Sequence, residues 1–216
     1  MRTYYLNPSI YNKMYAVMQY KNALALRVSL ETALRIDDVL SLRPEQLEKR
    51  TLFGVASKTK KSFRKVISAD LANRLREVAG KYYIFEGRLN PQKHRTRQAV
   101  WKDVKKAAAV LDLHGNIAPH SARKTYAVEH FKDGGLAQVK HDLQHTDINT
   151  TILYAFADYL DELPHTVTKK KRTDVREENN ANEEKAPYLD GAFWETFAEL
   201  VADKTARKLM ELARAR

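Results

Sequence analysis

The chain has 216 residues, no cysteine, and 38 lysine and arginine against 27 aspartate and glutamate side chains, a net charge of +11. Without cysteine, disulfide bonds and cysteine-based metal sites are excluded. The first thirty residues hold no apolar run long enough for a signal peptide or a membrane span, and we expect a soluble, cytoplasmic protein.

The positive charge is concentrated in the larger part of the chain. Residues 1–172 carry 31 basic and 17 acidic side chains, a net charge of +14, whereas residues 173–216 carry 7 and 10. A surface of this sign attracts polyanions. The charge alone leaves two interpretations open: a protein that binds nucleic acid, or one with a solvated positive face.

The first third of the chain predicts helices followed by a β-hairpin. Residues 8–30 are rich in Tyr, Met, Leu and Ala and predict one or two packed helices. A further helix is expected at 35–42. Residues 52–67 place apolar and β-branched residues on both sides of a lysine-rich centre, a pattern typical of a hairpin.

Helices and one short strand are predicted after the hairpin. We expect a helix at 69–79, a strand at 82–86 and a longer helix at 96–112. The apolar residues of this longer helix recur at helical spacing and are Val100, Trp101, Val104, Ala108 and Leu111.

The pair Gly134-Gly135 predicts a helix stop. The segments on its two sides, 121–132 and 136–144, are expected to be separate short helices. Another helix is expected near 148–160.

A change of composition marks the tail. Residues 166–188 are almost devoid of apolar side chains and predict a polar linker. The predicted helix at 189–214 then carries an apolar stripe, which has to pack on its own domain or on a neighbouring subunit. We therefore divide the chain into a domain at 1–165, a linker at 166–188 and a C-terminal amphipathic helix at 189–216. The stripe consists of Phe193, Phe197, Leu200, Val201 and Leu209.

Five short stretches carry the chemistry. In chain order they are Thr32-Ala-Leu-Arg35-Ile-Asp-Asp-Val-Leu, Ser57-Lys58-Thr59-Lys60, His120-Ser-Ala-Arg123, Leu143-Gln-His145 and, nine residues later, Tyr154. Together they make residues 10–160 resemble the catalytic domain of the tyrosine recombinase (phage integrase) family. The resemblance implies a mainly α-helical fold with a small antiparallel β-sheet, in the α+β class.

Six catalytic residues follow from the resemblance, carried over position by position: Arg35, Lys58, His120, Arg123, His145 and Tyr154. The two arginines would hold the phosphate oxygens, with His145 as a further donor. Tyr154 would be the nucleophile, with His120 as its base, and Lys58 would protonate the leaving 5′ oxygen. The chain departs from the family at Gln144, usually Gly, and at Ala122, often Leu.

A site-specific DNA recombinase is the function that the resemblance implies. Attack by the tyrosine would give a 3′-phosphotyrosyl bond, which a second 5′ hydroxyl reseals without ATP, metal or other cofactor. The implied partner is double-stranded DNA, which Lys60, Lys61, Arg64 and Lys124 are expected to contact. Members assemble as dimers or tetramers on DNA, and the segment 189–214 is our candidate for the subunit contact. Most members also have a separate N-terminal helical domain, which this sequence does not show, so we expect either a short, single-domain member or a fragment of a longer protein.

Simpler interpretations of the same residues stay open. Arg35 is compatible with a surface ion pair to Asp37 or Asp38, and Lys58, Lys60 and Lys61 with an ordinary exposed turn. The spacing of His141 and His145 is that of a zinc-binding helix, although no third ligand is evident. Tyr126 and Tyr159 are rival nucleophiles.

Three other functions compete with recombination. A regulator that keeps the recombinase fold would bind DNA without cutting it. A topoisomerase-like, relaxase-like or telomere-resolving enzyme would use the same chemistry with a different product topology. A basic helical protein would bind nucleic acid through charge alone.

Overall fold

The structure is a computed structural model, and it describes residues 3–143 except for the side chains of 131–138 and 140. In chain order the elements are α1 (Pro8–Val17), α2 (Tyr20–Thr32), α3 (Ile36–Leu40), a 3-10 turn (Pro44–Gln46), β1 (Leu47–Glu48), β2 (Thr51–Val55), β3 (Ser62–Val66), α4 (Ala69–Val78), α5 (Arg97–Val110) and α6 (Pro119–Leu143). The predicted fold class, mainly α with a small antiparallel sheet, is confirmed.

Helix α2 is the centre of the core. Eight of its 13 residues are buried, because α1, α3, α4, α5 and α6 all contact it. Its buried hydroxyls are satisfied: Ser29 Oγ donates to the carbonyl of Leu34 at 2.8 Å and Thr32 Oγ1 to that of Val28 at 2.6 Å. The hydrogen bond of Ser29 spans the turn between α2 and α3 and helps to fix the backbone conformation of that turn.

The three strands form an antiparallel sheet in the order β1-β2-β3. Leu52, Phe63 and Ile67 are buried on the face toward the core, while Arg64 is exposed on the opposite face. This alternation follows from the two-residue period of a strand. The predicted hairpin at 52–67 is confirmed, and the short strand β1 is an addition to it.

The strand predicted at 82–86 is wrong. Ile84 and Phe85 are fully buried, but they reach the core from an irregular loop. The amide of Ile84 donates to the carbonyl of Leu42 at 2.9 Å, and that of Arg95 to the carbonyl of Phe85 at 2.7 Å. A single isolated bridge joins Glu86 to His94. Burial of a short apolar run therefore did not require a strand.

The helix stop predicted at Gly134-Gly135 is also wrong, since α6 runs without interruption over Pro119–Leu143. Glycine disfavours a helix interior by only about 1 kcal/mol, which packing against α2 and α5 offsets. Within α5, Val100, Val104 and Ala108 are buried as predicted, but Trp101 is 47% exposed. Its ring lies beneath the Lys105 ammonium, 5.7 Å from the centroid.

Two neighbouring tyrosines differ in how their hydroxyls are satisfied, and this predicts opposite effects on stability. The Tyr11 hydroxyl shares a hydrogen bond with Thr125 Oγ1 at 3.2 Å. The Tyr15 hydroxyl is buried and meets no partner among the described residues, and burial raises its pKa. Urea denaturation should show Tyr11→Phe lowering the free energy of unfolding by about 1 kcal/mol and Tyr15→Phe leaving it equal or higher. The reverse order would contradict this assignment.

No helix within the described residues is long and apolar enough to cross a membrane. The predicted domain limits at 165 and 188, and the helices predicted at 148–160 and 189–214, lie outside the described residues and stay predictions.

Candidate active site

Arg35 lies at the turn between α2 and α3, where it is the N-cap residue of α3. Its side chain is half-buried. The interpretation of Arg35 as one half of a surface ion pair finds no support within residues 3–143, because Asp37 pairs instead with Arg97, at 3.4 Å. Asp38 faces inward and is 4% exposed. Among residues 3–143, neither Asp37 nor Asp38 forms an ion pair with the Arg35 guanidinium.

Arg123 projects from α6 toward the same turn. It is only 4% exposed, and its guanidinium donates to the carbonyl of Ala33 and, at 3.2 Å, to that of Leu143. Its Nε atom is buried and meets no acceptor in the part of the chain that the structure describes. Arg123 thus joins the α2–α3 turn to the end of α6 and keeps one donor unused.

The two predicted arginines share one electrostatic environment. Burial, and after it the charge of Arg35, lower the pKa of Arg123 to about 9, whereas Asp38 acts in the opposite direction. Two guanidiniums and one carboxylate leave a net positive charge in a poorly solvated place. An anion bound here would relieve the repulsion between the arginines, which is what a phosphate-binding site requires.

Asp38 is the functional candidate that the sequence analysis missed, since it was weighed only as a surface partner of Arg35. Its Oδ1 atom accepts a hydrogen bond from the backbone amide of Ser57 at 2.8 Å. Ser57 directly precedes Lys58, so Asp38 fixes the start of the hairpin loop beside α3. The sequence feature that could have indicated Asp38 is its position three residues after Arg35 at the start of a helix. This spacing places the two residues on the same side of the helix.

The hairpin loop presents the lysines. Two backbone hydrogen bonds of 2.9 Å close it, from Ala56 to Lys61 and from Lys60 to Ala56. Lys58, Lys60 and Lys61 are all exposed, as is Arg64 on β3. Lys58 is therefore free to extend from a loop whose base is held against α3 by Asp38.

His120 is exposed in the first turn of α6. It precedes Arg123 by three residues, a spacing that places both on one face of the helix. The structure thus brings Arg35, Arg123 and the base of the Lys58 loop together, with His120 one turn before Arg123 on the same face of α6.

Lys124 does not suit its predicted role in DNA contact. It is 5% exposed, and its ammonium donates to the carbonyl of Thr3. The reason is the helical period: the residue after Arg123 turns toward the N-terminal segment. The Lys124 ammonium is thus enclosed and does not face a DNA phosphate.

His145 and Tyr154 lie outside the described residues, as does Tyr159. The other rival nucleophile, Tyr126, is described. Its hydroxyl donates to Asp142 Oδ2 at 2.9 Å, and burial, followed by the contact with Asp142, raises its pKa. A phenol held this way is a poor nucleophile. The described side chains contain no group of three or more residues arranged to hold a metal.

Solved structures of low sequence identity share this fold. The catalytic domain of bacteriophage HP1 integrase matches 78% of this chain over its own whole length, with a TM-score of 0.54 and 19% identity. A lambda integrase dimer bound to a COC′ core site matches 82% of this chain and 64% of its own, with a TM-score of 0.60 and 16% identity. The fold is therefore that of a tyrosine recombinase catalytic domain.

Sequence comparison identifies the family. The model of the phage integrase family matches residues 5–160, and the chain belongs to that family. Tyrosine recombinase XerD of Lacticaseibacillus casei is 31% identical over an alignment of 142 positions that covers 57% of this chain and 46% of the relative. The chain thus spans less than half the length of this curated relative.

Proposed function

We propose that this protein is a site-specific DNA recombinase that cleaves and rejoins strands through a 3′-phosphotyrosyl bond to Tyr154. The observation that carries the proposal is that the Arg123 guanidinium reaches the carbonyl of Ala33, two residues before Arg35, while Asp38 holds the base of the Lys58 loop beside the same turn. The charge of Arg35 raises the cost of burying Arg123, so some other gain has to offset it. A phosphodiester between them provides that gain.

The arginines act on the phosphate. The two guanidiniums donate hydrogen bonds to nonbridging oxygens and stabilise the charge that grows in the pentacoordinate transition state. The buried Nε of Arg123 is a donor still available to such an oxygen. His145 would add a further donor from the segment after α6.

Strand cleavage requires two proton transfers. The Tyr154 oxygen forms a bond to phosphorus while its proton passes to a base, for which His120 is the candidate. The bond from phosphorus to the 5′ oxygen breaks, and Lys58 gives its proton to that oxygen. A second 5′ hydroxyl reverses these steps and restores the phosphodiester, so the two strands exchange with no net change in bond energy.

Besides Lys58, the hairpin carries three exposed cations that support DNA binding. Lys60, Lys61 and Arg64 are proposed to contact DNA phosphates, whose charge dominates binding of this kind. We further propose that the protein works as a dimer or tetramer on DNA, with the segment 189–214 contacting the neighbouring subunit.

Covalent capture of DNA tests the proposal. The full chain is incubated with a library of short duplexes that have a randomised core and a nick, so that the strand released by cleavage diffuses away. We expect a denaturation-resistant protein–DNA adduct from the native chain and from Tyr159→Phe. Tyr154→Phe should form none, because phenylalanine has no oxygen to attack phosphorus.

Two results would count against the proposal. An adduct that persists in Tyr154→Phe would place the nucleophile elsewhere. Sequence-specific binding by the native chain without any adduct would favour the regulator that keeps the fold but does not cut.

A further inference from the structure

Lys65 breaks the alternation of β3. It pairs across the sheet with Leu52, which is fully buried, and it lies between Phe63 and Ile67 on the core-facing side of the strand. Only 12% of its side chain is exposed. A lysine is placed in this way only where a partner holds its charge.

The partner of Lys65 is at the far end of α6. Lys65 Nζ lies 2.6 Å from Asp142 Oδ1, and the Asp142 side chain is 10% exposed. The Tyr126 hydroxyl donates to the other carboxylate oxygen at 2.9 Å. The Tyr126 ring in turn stacks on the His130 ring, with centroids 3.7 Å apart. Both oxygens of Asp142 therefore have a partner: Lys65 of the sheet contacts Oδ1, and Tyr126 of α6 donates to Oδ2.

Stability alone does not explain this cluster. A shielded ion pair is often no more stabilising than apolar side chains of the same volume, because both charges have to leave water. What such a pair supplies is a fixed geometry, since removing either partner strands a charge. None of the six predicted catalytic residues belongs to it.

The cluster lies where such a geometry matters to the reaction. Lys65 belongs to the same hairpin as Lys58. Asp142 directly precedes Leu143, whose carbonyl accepts from Arg123 at 3.2 Å. His145 follows Asp142 by three residues, at most about 11 Å of extended chain. The end of α6 is thus held at two adjacent residues, by the hairpin and by an active-site arginine.

We propose that Lys65, Tyr126 and Asp142 form a clamp that fixes the end of α6 to the hairpin and thereby positions the segment carrying His145 and Tyr154. These are positioning residues, and the inference rests on the proposed function. Without the clamp, DNA still binds through the exposed cations, but the tyrosine meets the phosphate less often in the reactive orientation.

The test compares Lys65→Met, Asp142→Leu and the double variant with the native chain. The matched control is Lys105→Met, which removes a partly buried lysine of α5 whose ammonium donates to Asn116 Oδ1 at 2.7 Å. Hydrogen–deuterium exchange of the amides at 139–143 reports on the clamp. Single-turnover adduct formation and the Kd for a duplex recovered from the nicked library report on the reaction.

Each single variant should exchange faster at 139–143 and form adduct roughly tenfold to a hundredfold more slowly, with its Kd changed less than about threefold. The double variant should recover most of both losses, because two apolar side chains replace the ion pair without stranding a charge. Lys105→Met should behave as the native chain does.

Three results would overturn the clamp: unchanged exchange in the single variants, faster exchange with native cleavage rates, or no recovery in the double variant. The last would mean that Lys65 acts on DNA directly. Failure of the proposed function is distinguishable, because the native chain itself would then form no adduct while the exchange comparison still decides whether the cluster holds α6.

Discussion

Replacement of Arg123 by methionine should abolish DNA cleavage and leave the fold about as stable as before. The Arg123 side chain is 4% exposed, and Arg35 repels its charge. Removing that charge therefore favours the folded state. It also removes two hydrogen bonds, to the carbonyls of Ala33 and Leu143, at roughly 1 kcal/mol each. These effects oppose each other, so we expect the free energy of unfolding to change by less than about 2 kcal/mol.

Activity should respond far more strongly. Loss of one fixed donor to a developing oxyanion slows a reaction by roughly 10²- to 10³-fold, and Arg123 would supply more than one donor. Arg123→Lys should retain some cleavage, since it keeps the charge without the planar fork. The measurements are urea denaturation and single-turnover adduct formation on the same preparations.

Arg95→Met is the matched control for Arg123. Burial also lowers the pKa of Arg95, and its guanidinium bonds to the side chains of Asn22 and Gln19, away from the cluster around Asp38. It should cleave DNA at the native rate. A loss of more than about 4 kcal/mol in Arg123→Met would instead mean that Arg123 mainly holds α6 to the α2–α3 turn.

The sequence predicted the parts of this fold in which local pattern and packing agree. The helical character of residues 8–30, the hairpin and α4 follow from apolar spacing and turn chemistry. The prediction at 82–86 failed because a run such as Ile84-Phe85 is buried equally well from a loop. The prediction at Gly134-Gly135 failed because tertiary contacts along α6 outweigh a weak local preference.

The candidate site was predictable where residue type alone signals chemistry. Arg35 and Arg123 were found from their motifs, and the structure brings them together. Asp38 was missed because its role depends on the amide of Ser57, 19 residues away. The burial of Lys124 was missed for a similar reason. A lysine next to a predicted catalytic arginine suggests DNA contact from sequence, and only the fold shows that its ammonium is enclosed.

Asp38→Ala should slow cleavage mainly at the step in which the 5′ oxygen leaves. Asp38 is the residue that links the arginine cluster to the Lys58 loop, through the 2.8 Å bond from the Ser57 amide to its Oδ1 atom. Without the carboxylate, the base of the loop loses its anchor and Lys58 delivers its proton less often. We expect a roughly tenfold to hundredfold slower single-turnover reaction and a loss of about 1–3 kcal/mol in stability.

A change of leaving group distinguishes a defect in protonating the 5′ oxygen from a general disruption of the active site. A duplex with sulfur in place of the bridging 5′ oxygen releases a thiolate, which departs without a proton. If Asp38 acts through Lys58, Asp38→Ala and Lys58→Ala should both cleave this substrate far closer to the native rate, whereas Arg123→Met should stay inactive because it lacks a phosphate donor. Asp37→Ala is the matched control, since Asp37 is exposed and pairs with Arg97. Equal defects of Asp38→Ala on both substrates would mean that the carboxylate serves the arginines alone and that the loop finds its place without it.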